Sequence, residues 1–206
     1  MTGIVGNSIE EMIGYIREIS RENGWEQAER SLSFMLEKHE GQQRSGKQHL
    51  PYCSHPLSVC MHALLLGIRE EDVICTCLLH DVVEDCGVEP EELPVNETVR
   101  RAVLRLSWPE EDHESCRERY YRGIGEDRIS CLVKCLDRCH NVSCMPMSYS
   151  VRKLKTYSET TREYVFPLLD RLSGEYGEER ISLLLRYHME SVLAGTDRAV
   201  RLSQSM

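Results

Sequence analysis

The sequence predicts an all-α fold, a single helical bundle, and three observations carry that prediction. Apolar residues recur at three- and four-residue spacing along almost the whole chain, and no stretch of period-two alternation stands out. Aromatic residues make up only 6% of the 206 residues, with 2 Phe and 2 Trp, whereas sheet sandwiches draw on aromatic and β-branched side chains. The hydrophobic content of 41% is enough for one core, so that core must be aliphatic and cysteine-rich.

Taken in order, Ile9, Met12, Ile13 and Ile16 form one face of a first helix. Ser8 is its N-cap, Glu11 stands three residues on in capping-box relation, and Gly24 ends it. Ala28, Leu32, Met35 and Leu36 carry a second helix that stops near Gly41. The polar, aperiodic stretch from Gly41 to Pro51 reads as a loop. Helix resumes after Pro56 through Leu57, Cys60, Met61, Leu64 and Leu65, and breaks at Gly67. A stronger helix is predicted over residues 70–85, stopping before Gly87. Residues 96–106, 113–124 and 127–145 supply three more, the last ended by Pro146. Helices over residues 149–172 and 178–193 complete the set, and the polar tail from Gly195 is expected to fray. The expected organisation is an N-terminal helix (1–24) packed on one domain (25–194), then a polar tail (195–206), with no internal repeat.

Charge and cysteine usage bound the partners. Lys+Arg of 25 against Asp+Glu of 34 gives a net charge of −9, which disfavours nucleic acid and anionic membrane surfaces. An anionic ligand must then be met by local cations or by a metal. The 10 cysteines sit among Leu, Ile and Val in a chain too long for a small disulfide scaffold, so they read as free thiols. The start, Met1-Thr2-Gly3-Ile4-Val5-Gly6, lacks a basic leader region, and no apolar run approaches the roughly 20 residues that span a bilayer. The expected compartment is the cytoplasm; the sequence leaves the oligomeric state open.

The most informative segment is Leu78-Leu79-His80-Asp81-Val82-Val83-Glu84-Asp85. On a continuous helix, at about 100° per residue, Glu84 lies about 40° from His80, Asp81 about 100° and Asp85 about 140°. One face then presents an imidazole and three carboxylates, and the other is aliphatic. Acids so crowded repel one another unless a divalent cation joins them; the plainer alternative is a solvated acidic face with an incidental histidine. Two further positions bear on the choice. His55 stands at a loop-to-helix junction between Pro51 and Pro56, and Asp137 interrupts a mostly apolar helix, where a buried carboxylate needs a partner.

Four ordered motifs carry a family resemblance: His39-x-Gly41-Gln42-x-Arg44, Pro51-Tyr52-x-x-His55-Pro56-Leu57, Leu79-His80-Asp81-x-Val83-Glu84-Asp85 and Val133-Lys134-x-x-Asp137-Arg138-x-x-Asn141. Together they resemble the HD-domain (p)ppGpp hydrolases, the hydrolase half of RelA/SpoT proteins and its free-standing small homologues. The resemblance implies an all-α bundle and release of pyrophosphate from the 3′ position of a phosphorylated guanosine nucleotide. It implies His55, His80, Asp81 and Asp137 as ligands of Mn²⁺ or another divalent cation. Glu84 and Asp85 would stand beside the attacking water, Arg44 against the nucleotide base, and Asn141 in the substrate pocket. Two imidazoles and two carboxylates form an N/O donor set suited to such an ion, unlike the thiolate-rich sets of structural zinc.

A substrate with four or five phosphates needs cations. Lys134 and Arg138 flank Asp137, while Arg152, Lys153 and Lys155 follow Pro146; Lys153 or Lys155 is the preferred phosphate contact, ordinary solvated surface being the alternative. The chain departs from the family pattern at Ser45-Gly46-Lys47-Gln48-His49-Leu50, a longer loop that would line the base pocket. That leaves room for a second reading, a phosphatase of another nucleotide such as NADPH, and a third is a catalytically silent nucleotide sensor. Cys131, Cys135 and Cys139 recur on one rigid helix, which closes a tetrahedral metal shell poorly, so they read as small core hydrophobes, as do Cys75 and Cys77. His62, His140 and His188 lack partner motifs and read as surface or satisfied residues.

Overall fold

The computed structural model describes residues 8–44, 50–108 and 114–204. The loop at residues 45–49 and the expected helix start at His113 lie outside the described residues. Within them, regular structure is helical, with one isolated antiparallel bridge between Gln43 and Pro51. The helices group into two compact units, at no break legible in the sequence.

The first unit contains α1 (Ile9–Asn23), α2 (Glu26–Lys38), α3 (Ser54–Leu65), α4 (Glu71–Leu79), α5 (Val82–Cys86) and α6 (Glu97–Leu106). Helix α1 starts as the capping box requires: Ser8 Oγ accepts the Glu11 N–H at 3.1 Å and Glu11 Oε2 accepts the Ser8 N–H at 2.8 Å. It ends on Gly24 at φ 68°, a left-handed conformation that glycine adopts without penalty. Helix α4 is the centre of the unit, with every residue from Val73 to Leu79 buried, and it packs against α2, α3 and α6. The core is aliphatic as expected, built on Ile16, Leu32, Met35, Leu57, Leu64, Ile74, Leu78 and Leu79.

The helix expected over residues 70–85 is broken. It stops at Leu79 and restarts at Val82, with Asp81 at φ −102° and ψ −9°. In an unbroken helix the Cys77 carbonyl would accept the Asp81 N–H. Here the His80 imidazole reaches back to it, with Nδ1 at 2.9 Å, and competes for that acceptor. The helical-wheel angles read across residues 80–85 therefore do not apply.

The second unit contains α7 (Glu114–Gly125), α8 (Arg128–Ser148), α9 (Val151–Thr160), α10 (Phe166–Gly174) and α11 (Glu179–Gln204). Helix α8 is capped by Asp127, whose carboxylate accepts the Ser130 N–H at 2.8 Å, and it packs against α7, α10 and α11. Three expectations are corrected here. Pro146 lies inside α8 rather than ending it, because one absent hydrogen bond near the helix end is offset by burial of Val142 and Met145. The single helix expected over 149–172 is interrupted by a π turn, Thr161–Val165, closed by the Phe166 N–H on Thr161 O. The cause is Pro167, whose ring cannot face the carbonyl four residues back. Helix α11 continues through Gly195 to Gln204, held by buried Leu193, Thr196 and Val200 and by the Arg162–Asp197 ion pair at 2.7 Å.

Candidate active site

Three of the residues singled out from the sequence meet within the first unit. His55 occupies the first turn of α3, where Pro56 is tolerated because the amides there need no intrahelical acceptor. The turn is entered through the His55 N–H on Tyr52 O at 2.9 Å and the Ser54 N–H on Pro51 O at 3.1 Å. His80 and Asp81 stand at the break between α4 and α5. His55 Nε2 and His80 Nε2 are 3.3 Å apart. The Asp81 carboxylate spans both, with Oδ1 3.2 Å from His80 and Oδ2 3.4 Å from His55. Because the Cys77 carbonyl can only accept, His80 Nδ1 carries the proton and Nε2 presents its lone pair to the cluster.

That triangle has the dimensions of a metal site. Two donors at right angles, each about 2.1 Å from one octahedral cation, lie about 3 Å apart. Two imidazole nitrogens and a carboxylate form an N/O set that suits a divalent cation.

A second layer of side chains surrounds Asp81. Tyr52 donates its hydroxyl to Asp81 Oδ2 at 2.7 Å. Burial first, then the Asp81 and Asp85 carboxylates, push the Tyr52 phenol far up, so it keeps its proton and acts as a donor. Its ring stacks on His39, centroids 4.7 Å apart, and meets His55 edge-on at 6.1 Å. His39 Nδ1 is 2.8 Å from Gln42 Oε1 and 3.4 Å from Cys86 Sγ. His39, Gln42 and Tyr52 stand in the sequence motifs without an assigned role; the local signal for Tyr52 is an aromatic residue three positions before His55.

The three acids of the 80–85 segment do not all meet at one point. Asp81 faces the imidazoles, Glu84 Oε2 accepts the Trp108 N–H at 2.8 Å, and Asp85 lies within hydrogen-bonding reach of the Tyr52 hydroxyl. Glu84 thus has a partner of its own, whereas Asp81 and Asp85 share the Tyr52 hydroxyl. Arg44, half-buried, joins the same region through its backbone N–H on Leu50 O at 2.9 Å.

In the second unit, α8 brings Lys134, Asp137 and Asn141 together. Asp137 is buried; its Oδ2 is 3.2 Å from Lys134 Nζ, and its Oδ1 accepts from Asn141 Nδ2 at 2.5 Å. Burial disfavours the Lys134 ammonium, but the facing Tyr120 and Asp137 outweigh it and hold the amine's pKa well above its usual value. Arg138 is a structural cation rather than a surface one. It donates to Tyr121 Oη at 2.7 Å and Thr161 Oγ1 at 3.2 Å and lies 4.1 Å over the Tyr157 ring. Lys153 and Lys155 are exposed, Lys153 Nζ 3.9 Å from the Tyr149 ring centre and Lys155 Nζ 3.9 Å from Glu159.

The cysteines are free. Cys131, Cys135 and Cys139 are buried in α8, and burial pushes the Cys139 thiol up to about 12, a protonated core residue rather than a metal ligand. His188 pairs with Ser143 Oγ at 2.8 Å, as a satisfied surface residue does.

No protein-family model matches the chain. It is 32% identical over 155 residues to a guanosine-3′,5′-bis(diphosphate) 3′-pyrophosphohydrolase of Aquifex aeolicus, a match covering 71% of this chain and 22% of that longer relative. It is 30% identical over 146 residues to the MESH1 form of that enzyme in Danio rerio, covering 66% of this chain and 80% of the relative. The Xenopus tropicalis MESH1 enzyme gives the same identity and coverage over 150 residues. Among solved structures, one described as a metazoan ortholog of SpoT that hydrolyses ppGpp superposes with a TM-score of 0.68. That match covers 81% of this chain and 95% of the other at 19% identity, and it establishes the likeness of fold.

Proposed function

This chain belongs to the family of guanosine-3′,5′-bis(diphosphate) 3′-pyrophosphohydrolases, and from that premise we propose that it is a metal-dependent hydrolase releasing pyrophosphate from the 3′ position of ppGpp or pppGpp. The observation that carries the reading is the meeting of His55, His80 and Asp81 at donor-to-donor distances suited to one cation. We propose Asp137 as the fourth ligand and Mn²⁺ as the ion. Asp137 supports this by being buried and ionically partnered in advance, with Lys134 and Asn141 fixing its carboxylate.

When bound, the cation would lower the pKa of a water and offset charge on the phosphoryl group. The chain's own residues supply the rest. His80, locked in one tautomer by Cys77 O, keeps its lone pair available without rearrangement. Glu84 and Asp85 are the proposed acceptors of the attacking water's proton; both are exposed carboxylates next to the cluster in sequence. As the water oxygen bonds to the phosphorus next to the 3′ oxygen, the bond from that phosphorus to the 3′ oxygen breaks. The proton is delivered to the ribose oxygen, leaving a 3′ hydroxyl and pyrophosphate. Arg44 is assigned to the base, Asn141 to the substrate pocket, and Lys153 or Lys155 to the outer phosphates. Lys134, half-buried and already paired with Asp137, acts first by steadying that carboxylate.

The test is a panel of phosphorylated nucleotides incubated with the Mn²⁺-supplemented protein. Pyrophosphate from ppGpp is expected, and its rate should fall by at least ~100-fold in Asp81→Ala with the helical circular dichroism retained. Inorganic phosphate from NADPH with no turnover of ppGpp would replace the reading with a phosphatase. Nucleotide binding without turnover of any substrate would replace it with a sensor.

A further inference from the structure

We infer that Tyr52 is a positioning residue that fixes the Asp81 carboxylate against the two imidazoles, backed by His39 and Gln42. The inference rests on the metal-site reading above and gives work to three residues that it leaves idle. His55 and His80 are held by the core, each 3% exposed. Asp81 is not: its side chain is 21% exposed, and it sits where the helix is interrupted, at φ −102° and ψ −9°. Its side chain is thus less enclosed than either imidazole. The Tyr52 hydroxyl, 2.7 Å from Oδ2, is a contact that favours the plane in which both oxygens face the imidazole nitrogens.

The tyrosine is itself immobilised from two directions. Its ring lies on His39 at an interplanar angle of 23°, and its face is limited by the edge of His55. Its backbone N–H donates to Gln42 O at 2.9 Å, beside the Gln43–Pro51 bridge. Gln42 also holds His39 through its side-chain oxygen, so one residue anchors both the backbone and the stacking partner of Tyr52. A hydroxyl held this firmly reaches its acceptor with little conformational freedom left to lose, which is how an outer layer orients a ligand.

Mn²⁺ affinity measured by titration calorimetry tests this, with the thermal midpoint of each metal-free protein recorded alongside. Tyr52→Phe keeps the ring and its stacking and removes only the hydroxyl. The expected result is a Kd for Mn²⁺ raised about 10–100-fold at an almost unchanged metal-free midpoint. His39→Ala keeps the hydroxyl but removes its backing and should raise Kd in the same direction by less; it carries the comparison if Tyr52→Phe does not fold. A role in packing alone would lower the midpoint and leave Kd where it was. Equal affinity in the wild type and Tyr52→Phe overturns the positioning role while leaving the metal site standing. A wild-type protein that binds no Mn²⁺ overturns both.

Discussion

At the scale of single residues, burial decides which groups are reactive. Cys75 in α4 and Cys139 in α8 both have their thiols pushed up to about 12, Cys75 chiefly by burial and less by its acidic neighbours, Cys139 by burial alone. The unfolded chain releases these protons near 9, so the folded state binds them more tightly, and the associated stability is intact below that pH and lost as pH rises from 9 toward 12. The denaturation midpoint should fall over that window, with a shallower slope in the Cys75→Ala, Cys139→Ala protein; parallel slopes would show that other groups carry the loss. The inertness is legible in sequence for Cys75, which follows Val73 and Ile74, but not for Cys139, which stands between Arg138 and His140 and is kept protonated by its burial in α8. The role of Tyr52 is not legible there either, because its acceptor lies 29 residues away.

At the scale of elements, helix boundaries follow local chemistry where the stop and start signals are local. Ser8, Asn96 and Asp127 cap the helices that follow them, and Gly24 and Gly67 end the ones before them in left-handed conformations. Helix α2 is different. Trp25 at its N-cap has no side-chain bond to give, and the carboxylate of Glu71, 44 residues on in α4, accepts the Gln27 and Ala28 N–H groups at 2.7 and 3.0 Å. Glu71→Ala should lower stability by about 2 kcal/mol in chemical denaturation, the scale of hydrogen bonds to a charged group, with Glu71→Gln losing less. A loss within ~0.5 kcal/mol for both would mean that water replaces the cap. The break at His80–Asp81 belongs here too. Its residues are ordinary for a helix, and the interruption arises from the His80 ring taking a carbonyl in the stretch of α4 that is buried from Val73 to Leu79, which periodicity does not register.

At the scale of the whole molecule, a net charge of −9 sets the terms for binding anything anionic, and the proposed cation is the natural counterweight. A metal that binds the folded state and not the unfolded one raises stability by mass action, about 2.7 kcal/mol at a free concentration 100 times Kd. The thermal midpoint should therefore rise on adding Mn²⁺ and fall again with EDTA, and the rise should vanish in His80→Ala. A midpoint indifferent to Mn²⁺ would remove the metal from the account. By itself the sequence determined the helical class, most helix ends and the motifs that place the chain in its family, because propensity, capping and spacing act within a few residues. Only the tertiary structure decided that His55, His80 and Asp81 meet under the hydroxyl of Tyr52. Such encounters depend on how α3 and α4 pack, which joins residues far apart in the chain and is not encoded in any single stretch of residues.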